Sequence, residues 1–178
     1  AVLALAMHLT GSGLVVSAVL LSRTVPAVLF GPPAGVLADR FKRRTLLLAA
    51  DYLRAILAMG FLLVSSRDHM GLAYLFGGLL TAVSIFFATA KNASIPELCA
   101  PEELMAANAL AGSTTAIMQM LGGALGGFAV QGFGYRAAFT LNALSFLISA
   151  GLILRIRFPE SQVARGHGKE RPSYAREF

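Results

Sequence analysis

Five stretches of this chain are each apolar for about 20 residues, the length an α-helix needs to cross a hydrocarbon core of about 30 Å. They run approximately over residues 14–36, 46–64, 71–90, 104–129 and 137–154. Hydrophobic residues make up 56% of the chain and charged residues 13%, about half the charged share of an ordinary soluble domain. The mean hydropathy is +0.69. A soluble domain of 178 residues has too little interior to hide that much apolar surface, so the solvent must itself be largely apolar. In lipid every backbone polar group has to be satisfied within its own segment, and segments of this length do so as helices. The chain therefore reads as an all-α membrane protein. An apolar run from Ala1 to Leu9 reaches only about 13 Å as a helix, and is expected to be the end of a truncated first span. Residues 1–155 form the transmembrane bundle in this reading. Residues 156–178, polar and basic with Pro159 and Pro172, form a solvated cytoplasmic segment.

The charges say how the spans are arranged. A net charge of +6 on one exposed patch would suggest nucleic acid, but the cations sit at the ends of apolar runs, so no nucleic-acid partner is expected. Arg40, Lys42, Arg43 and Arg44 follow the first full run, Lys91 follows the third, and Arg155, Arg157, Arg165, Lys169, Arg171 and Arg176 follow the last. The loops between hold only Arg67 and Arg136. Lys and Arg near span ends stay cytoplasmic. The hinge Gly35–Arg44 and the final tail are thus expected on the inner side of the cell membrane. Pro101, Glu102 and Glu103 suit the first turn of the next helix, the acids complementing its dipole.

A repeat appears at an offset of 92 residues: Gly31, Gly35, Phe41 and Arg44 match Gly123, Gly127, Phe133 and Arg136. Three spans separate the copies, so the second must point the opposite way across the bilayer. Inverted repeats of this kind are a mark of secondary transporters.

Small and polar residues recur at steps of three and four along several runs, which places each set on one helix face. Asn108, Gly112, Thr115, Gln119, Gly122 and Gly126 are one set; Ala138, Asn142, Ser145 and Ser149 are another. Such faces let helices approach closely in lipid. Gln119 and Asn142 carry donors and acceptors that a dry interface leaves unmet, so a water-filled cavity is the functional alternative. Ionisable residues inside spans are costly and usually functional. Arg54 lies about 15 Å beyond Arg44 along a helix, near the midplane, and Asp51 is three residues earlier on the same face. Arg23 is also inside its span. Asp51 and Arg54 are either a buried ion pair fixing helix register or a proton or cation site held by Arg54, with Arg23 facing an anionic group.

Nothing in the chain supports enzyme chemistry or a resident cofactor. Cys99 is the lone cysteine, and His8, His69 and His167 are too scattered to form a ligand set, so no metal is expected.

The hinge Gly35-x3-Asp39-Arg40-x-Lys42-Arg43-Arg44 resembles the loop motif between helices 2 and 3 of the major facilitator superfamily, with Lys42 where that family has Gly. The segments 29–35, 93–98 and 105–110 are similar to its enterobactin-exporter-like and drug-efflux branch. Gly122-Gly123-x2-Gly126-Gly127 is similar to the glycine-rich motif of helix 5, with Gly123 where the family usually has Pro. The resemblance implies the N-terminal six-helix bundle of a major facilitator fold, built as two inverted three-helix repeats. It implies a gate at Gly35, Asp39, Arg40, Arg43 and Arg44, and helix-5 packing by Gly122, Gly123, Gly126 and Gly127 against a second six-helix half. Arg23, Asp51, Arg54, Gln119 and Asn142 are the cavity or coupling candidates. The function expected is proton-driven export of small amphiphilic molecules such as drugs or siderophores, with the bilayer and a small-molecule substrate as partners. A lysophospholipid translocator of the same fold, or a non-transporting membrane assembly or signalling protein, is the alternative.

Overall fold

The computed structural model describes residues 2–64, 67–156 and 158, and among these every regular element is helical. Five helices follow one another: α1 Val2–Thr10, α2 Gly13–Arg40, α3 Arg43–Gly60, α4 Met70–Leu98 and α5 Leu104–Arg155. Short 3-10 turns at Phe61–Leu63, Arg67–His69 and Pro101–Glu103 join them. Pro101 opens the last of these turns with Glu102 and Glu103 beside it, as the sequence suggests.

Among the described residues four helices are long and apolar enough to cross a membrane, the last covering 55 residues from Pro101 to Arg155. At 1.5 Å per residue that run is about 80 Å long, far more than one crossing of a core of about 30 Å. It is broken at Gly134, whose φ of 79° and ψ of 173° lie in a region open essentially only to glycine. Two arms result, 104–133 and 135–155. The loop expected between the fourth and fifth apolar runs thus shrinks to one non-helical residue.

Two further boundaries differ from the sequence reading for a common reason. The polar stretch after Val36 was expected as a tight turn, yet α2 continues to Arg40 and only Phe41 and Lys42 leave the helix. The stretch from Lys91 was expected as a loop, yet α4 runs on to Leu98 with Pro96 in its last turn. Apolar runs report where lipid ends, and a helix need not end there. At 29 residues, α4 is about 43 Å long and outreaches the hydrocarbon core.

Packing sets the order of the bundle. α2 lies along α4, α4 along α3, and α3 along the 135–155 arm of α5. The α2–α4 seam closes at Gly78, where an added Cβ would stand 3.1 Å from the carbonyl oxygen of Ser22. Toward one end Leu5, Ala6, Val19, Phe61, Val64, Met70, Ala73 and Phe139 form a buried cluster that seats α1 between its neighbours. Toward the other, Leu47, Ala90 and Ile153 form a second. Hydroxyls along the helices turn back onto their own backbones: Ser22 Oγ donates to Val19 O (2.8 Å), Thr81 Oγ1 to Gly77 O (2.9 Å) and Thr115 Oγ1 to Ala111 O (2.7 Å). That arrangement meets their hydrogen-bonding needs without water.

The repeat seen in the sequence has a structural counterpart. The break at Phe41–Lys42 and the break at Gly134 fall at equivalent positions, since Lys42 and Gly134 are 92 apart. They lie at opposite ends of the bundle. Arg44 beside the first break reaches the end of α5 at Leu154, whereas Tyr135 beside the second packs with the α1 cluster.

Candidate functional site

The charged hinge is built from four helix ends. α2 closes with the Phe41 amide donating to Leu37 O at 3.1 Å. Phe41 (φ −109°, ψ 154°) and Lys42 (φ −59°, ψ 121°) then take ordinary extended conformations, so the turn accommodates Lys42 without the glycine the superfamily pattern has there. Arg43 and Arg44 begin α3, at the positive end of its dipole, where cations are disfavoured. Both find compensation from other helices. Arg43 Nε lies 2.6 Å from Glu97 Oε1 near the end of α4. Arg44 donates from Nη2 to Leu154 O at 2.7 Å, meeting one of the carbonyls left open at the end of α5 and sitting at that helix's negative pole. Arg43 Nη1 is buried without a hydrogen-bond partner among the described residues. Arg40 and Lys42 are exposed. Asp39 lies in the last turn of α2, its side chain outside the described residues. An added Cβ at Gly35 would meet nothing within 4 Å.

A second charged site lies inside the bundle. Asp51 is fully buried and receives a hydrogen bond from Arg54 Nη2, three residues along α3. The guanidinium carbon of Arg54 stands 3.8 Å from the ring centre of Phe87 on α4 and 4.6 Å from that of Phe146 on α5. Asp51 Oδ2 and Arg54 Nε have no hydrogen-bond partner among the described residues. Two ring faces supply the attraction that water would give an exposed guanidinium.

The other sequence candidates are dispersed. Arg23 lies on α2, with its side chain outside the described residues. Gln119 and Asn142 are exposed, on different arms of α5. Gly122, Gly123, Gly126 and Gly127 occupy the 104–133 arm, where an added Cβ would meet nothing within 4 Å at any of the four. Among the described residues they make no tight contact. An open apolar groove of about 410 Å³ runs between α4 and the 135–155 arm, with Leu47, Phe87, Lys91, Ser149 and Leu152 among its lining. Asp51, Arg54, Gln119 and Asn142 do not line it. Lys91, read from sequence as a loop cation, faces this groove.

Several residues of these sites escaped the sequence reading. Glu97 stood in a segment noted for its resemblance alone. Phe87 lies inside an apolar run, where nothing in the sequence separates it from a lipid-facing aromatic. Phe146 carried a usable signal, because it lies 92 residues after Arg54, the offset of the repeat.

Apolar membrane-length helices, an inverted internal repeat and a cationic cluster at one end define a multi-pass α-helical membrane protein. The chain belongs to the Major Facilitator Superfamily, whose family pattern matches residues 1–177. It is 30% identical over 148 residues to "Uncharacterized MFS-type transporter YfiS" of Bacillus subtilis (strain 168), covering 83% of this chain and 35% of that protein. It is 31% identical over 145 residues to "Putative bacilysin exporter BacE" of the same strain, covering 80% of this chain and 36% of the relative. "Uncharacterized MFS-type transporter YkuC", also of that strain, is 27% identical over 137 residues, covering 77% of this chain and 32% of that protein. The chain thus spans about a third of the length of the curated relatives it matches. No solved structure matches it.

Proposed function

We propose that the chain is part of a secondary active transporter that exports small amphiphilic molecules, such as drugs or siderophores, by alternating access driven by a proton gradient. The observation that carries this reading is the hinge: Arg43 and Arg44 tie the start of α3 to the ends of α4 and α5, through contacts that separate when those ends move apart. In this reading Gly35, Asp39, Arg40, Arg43 and Arg44 form a gate on the cytosolic face, the side that Lys and Arg favour. Exposed Arg40 and Lys42 are free to meet acids of a second six-helix half. The glycines at 122, 123, 126 and 127 then pack against that half, which accounts for their open surroundings here. Arg23, Gln119 and Asn142 line the path of the substrate, and residues 156–178 lie in the cytosol between the halves.

The test is flux through the full-length protein in proteoliposomes with an imposed pH gradient, using a fluorescent amphiphilic dye and, because one relative is named for it, bacilysin. Gradient-dependent efflux that is lost in Asp39→Ala, with insertion unchanged, is expected. Wild-type flux from Asp39→Ala removes the gate from the mechanism. No gradient-dependent movement of any probe removes proton-driven export of these compounds.

A further inference from the structure

The offset of 92 also relates the contacts that α3 makes with the 135–155 arm of α5. Toward one end Phe61 stacks on Phe139, ring centres 4.9 Å apart. Toward the other, Leu47 and Ile153 share a buried cluster. Positions 47 and 139 are equivalent in the repeat, as are 61 and 153, so each contact is the image of the other with the partners exchanged. Midway between them lie Arg54 and Phe146, themselves equivalent, and these two meet face to cation at 4.6 Å. A two-fold axis relating the repeats passes where a position meets its own image. Such an axis passes between Arg54 and Phe146.

We infer that Arg54 is a pin that fastens α4 to the crossing of α3 and α5 at this axis. Two arginines there would repel, and two phenylalanines would join only α3 to α5. One guanidinium has two faces and joins three helices, since it also lies 3.8 Å from Phe87 of α4. Its charge is balanced within α3 by Asp51, so α4 and α5 contribute only rings. The contact depends on distance to a ring face and is less directional than a hydrogen bond, which weakens steeply as its angle closes. The pin holds helices together without dictating a single donor–acceptor line.

The test uses the full-length protein in detergent and reads the thermal midpoint of unfolding, which requires no transported substrate. Arg54→Lys keeps the charge beside Asp51 and removes the planar face. It is expected to lower the midpoint, as is Phe87→Leu, while the double variant falls no further than the worse single one. Phe87→Tyr, which keeps a ring, is expected to hold the wild-type midpoint. Additive losses overturn the pin. So does an Arg54→Lys midpoint equal to wild type with flux reduced, which assigns Arg54 to charge-based coupling. Should Arg54→Lys fail to accumulate, the Phe87 pair decides alone: equal midpoints for Leu and Tyr refute the proposal. A protein that moves none of the flux probes still returns these midpoints, so the pin and the transport reading fail separately.

Discussion

Arg54→Met should be among the most damaging single substitutions in this chain, and a second change should repair most of the harm. Asp51 is fully buried and among the described residues has one hydrogen-bond partner, Arg54. Removing that partner leaves an unpaired carboxylate inside the bundle, which costs about 3–5 kcal/mol. Losing the contacts with Phe87 and Phe146 adds about 1–2 kcal/mol, for a total of about 4–7 kcal/mol. Replacing both charges, as Asp51→Leu with Arg54→Met, removes the unpaired ion. Exchanging a buried pair for apolar residues of similar volume is often neutral or better. The double variant should then lie within about 2 kcal/mol of wild type, the ring contacts being its main loss. The fraction of full-length protein remaining monodisperse after graded heating in detergent measures the order: wild type, then the double variant close behind, then Arg54→Met far below. An Arg54→Met protein as heat-resistant as wild type would show that Asp51 carries no charge needing a partner.

Gly78→Val places branched carbons against the Ser22 carbonyl, 3.1 Å from a modest Cβ already, and should separate α2 from α4 at a cost of about 1–3 kcal/mol; loss of heat resistance in detergent checks it. Gly134→Ala forces an L side chain to φ 79° and should lower stability by about 1–3 kcal/mol, read in the same way. Lys42→Cys in an otherwise cysteine-free full-length protein should react with a membrane-impermeant thiol reagent only in inside-out vesicles; labelling in intact cells would reverse the orientation of every span.

The number and rough extent of the spans were legible because membrane length is a hard constraint on an apolar run. The pairing of Asp51 with Arg54 was legible too, since helical spacing brings residues three apart together. What met Arg54 from outside α3 was not, because a buried phenylalanine and a lipid-facing one look the same in sequence. Helix ends were misjudged at Lys91–Leu98 and at Leu37–Arg40 because polar residues continue a helix readily once it has left the hydrocarbon. The glycine runs on the 104–133 arm marked a surface made for close approach, yet the residues described hold no partner for it. The repeat was the most productive signal: four matched positions at an offset of 92 bracket the paired breaks at Lys42 and Gly134, although the meeting of Arg54 with Phe146 at the same offset was not drawn from it.

The two charged sites solve opposite problems. At the hinge, Arg43 and Glu97 come from different helices and both remain partly exposed, so water replaces either partner when the helices part and the net energy at stake is about 1 kcal/mol or less. A contact that weak and that dependent on helix position suits a gate, which has to open at little cost. In the interior no water waits to replace a lost partner, and an interhelical ion pair would resist any motion by several kcal/mol. Asp51 and Arg54 avoid that by lying on one helix, where their spacing is set by α3 alone and survives any movement of α4 or α5. The neighbours are held by rings instead. A buried interhelical acid placed opposite Arg54, as in Phe87→Glu with Asp51→Ala, would carry the same net charge and the same count of ions. It should stiffen the α3–α4 contact and slow flux through the full-length protein even where its heat resistance matches wild type. Unimpaired flux from that variant would mean that α3 and α4 do not move against each other at this depth during transport.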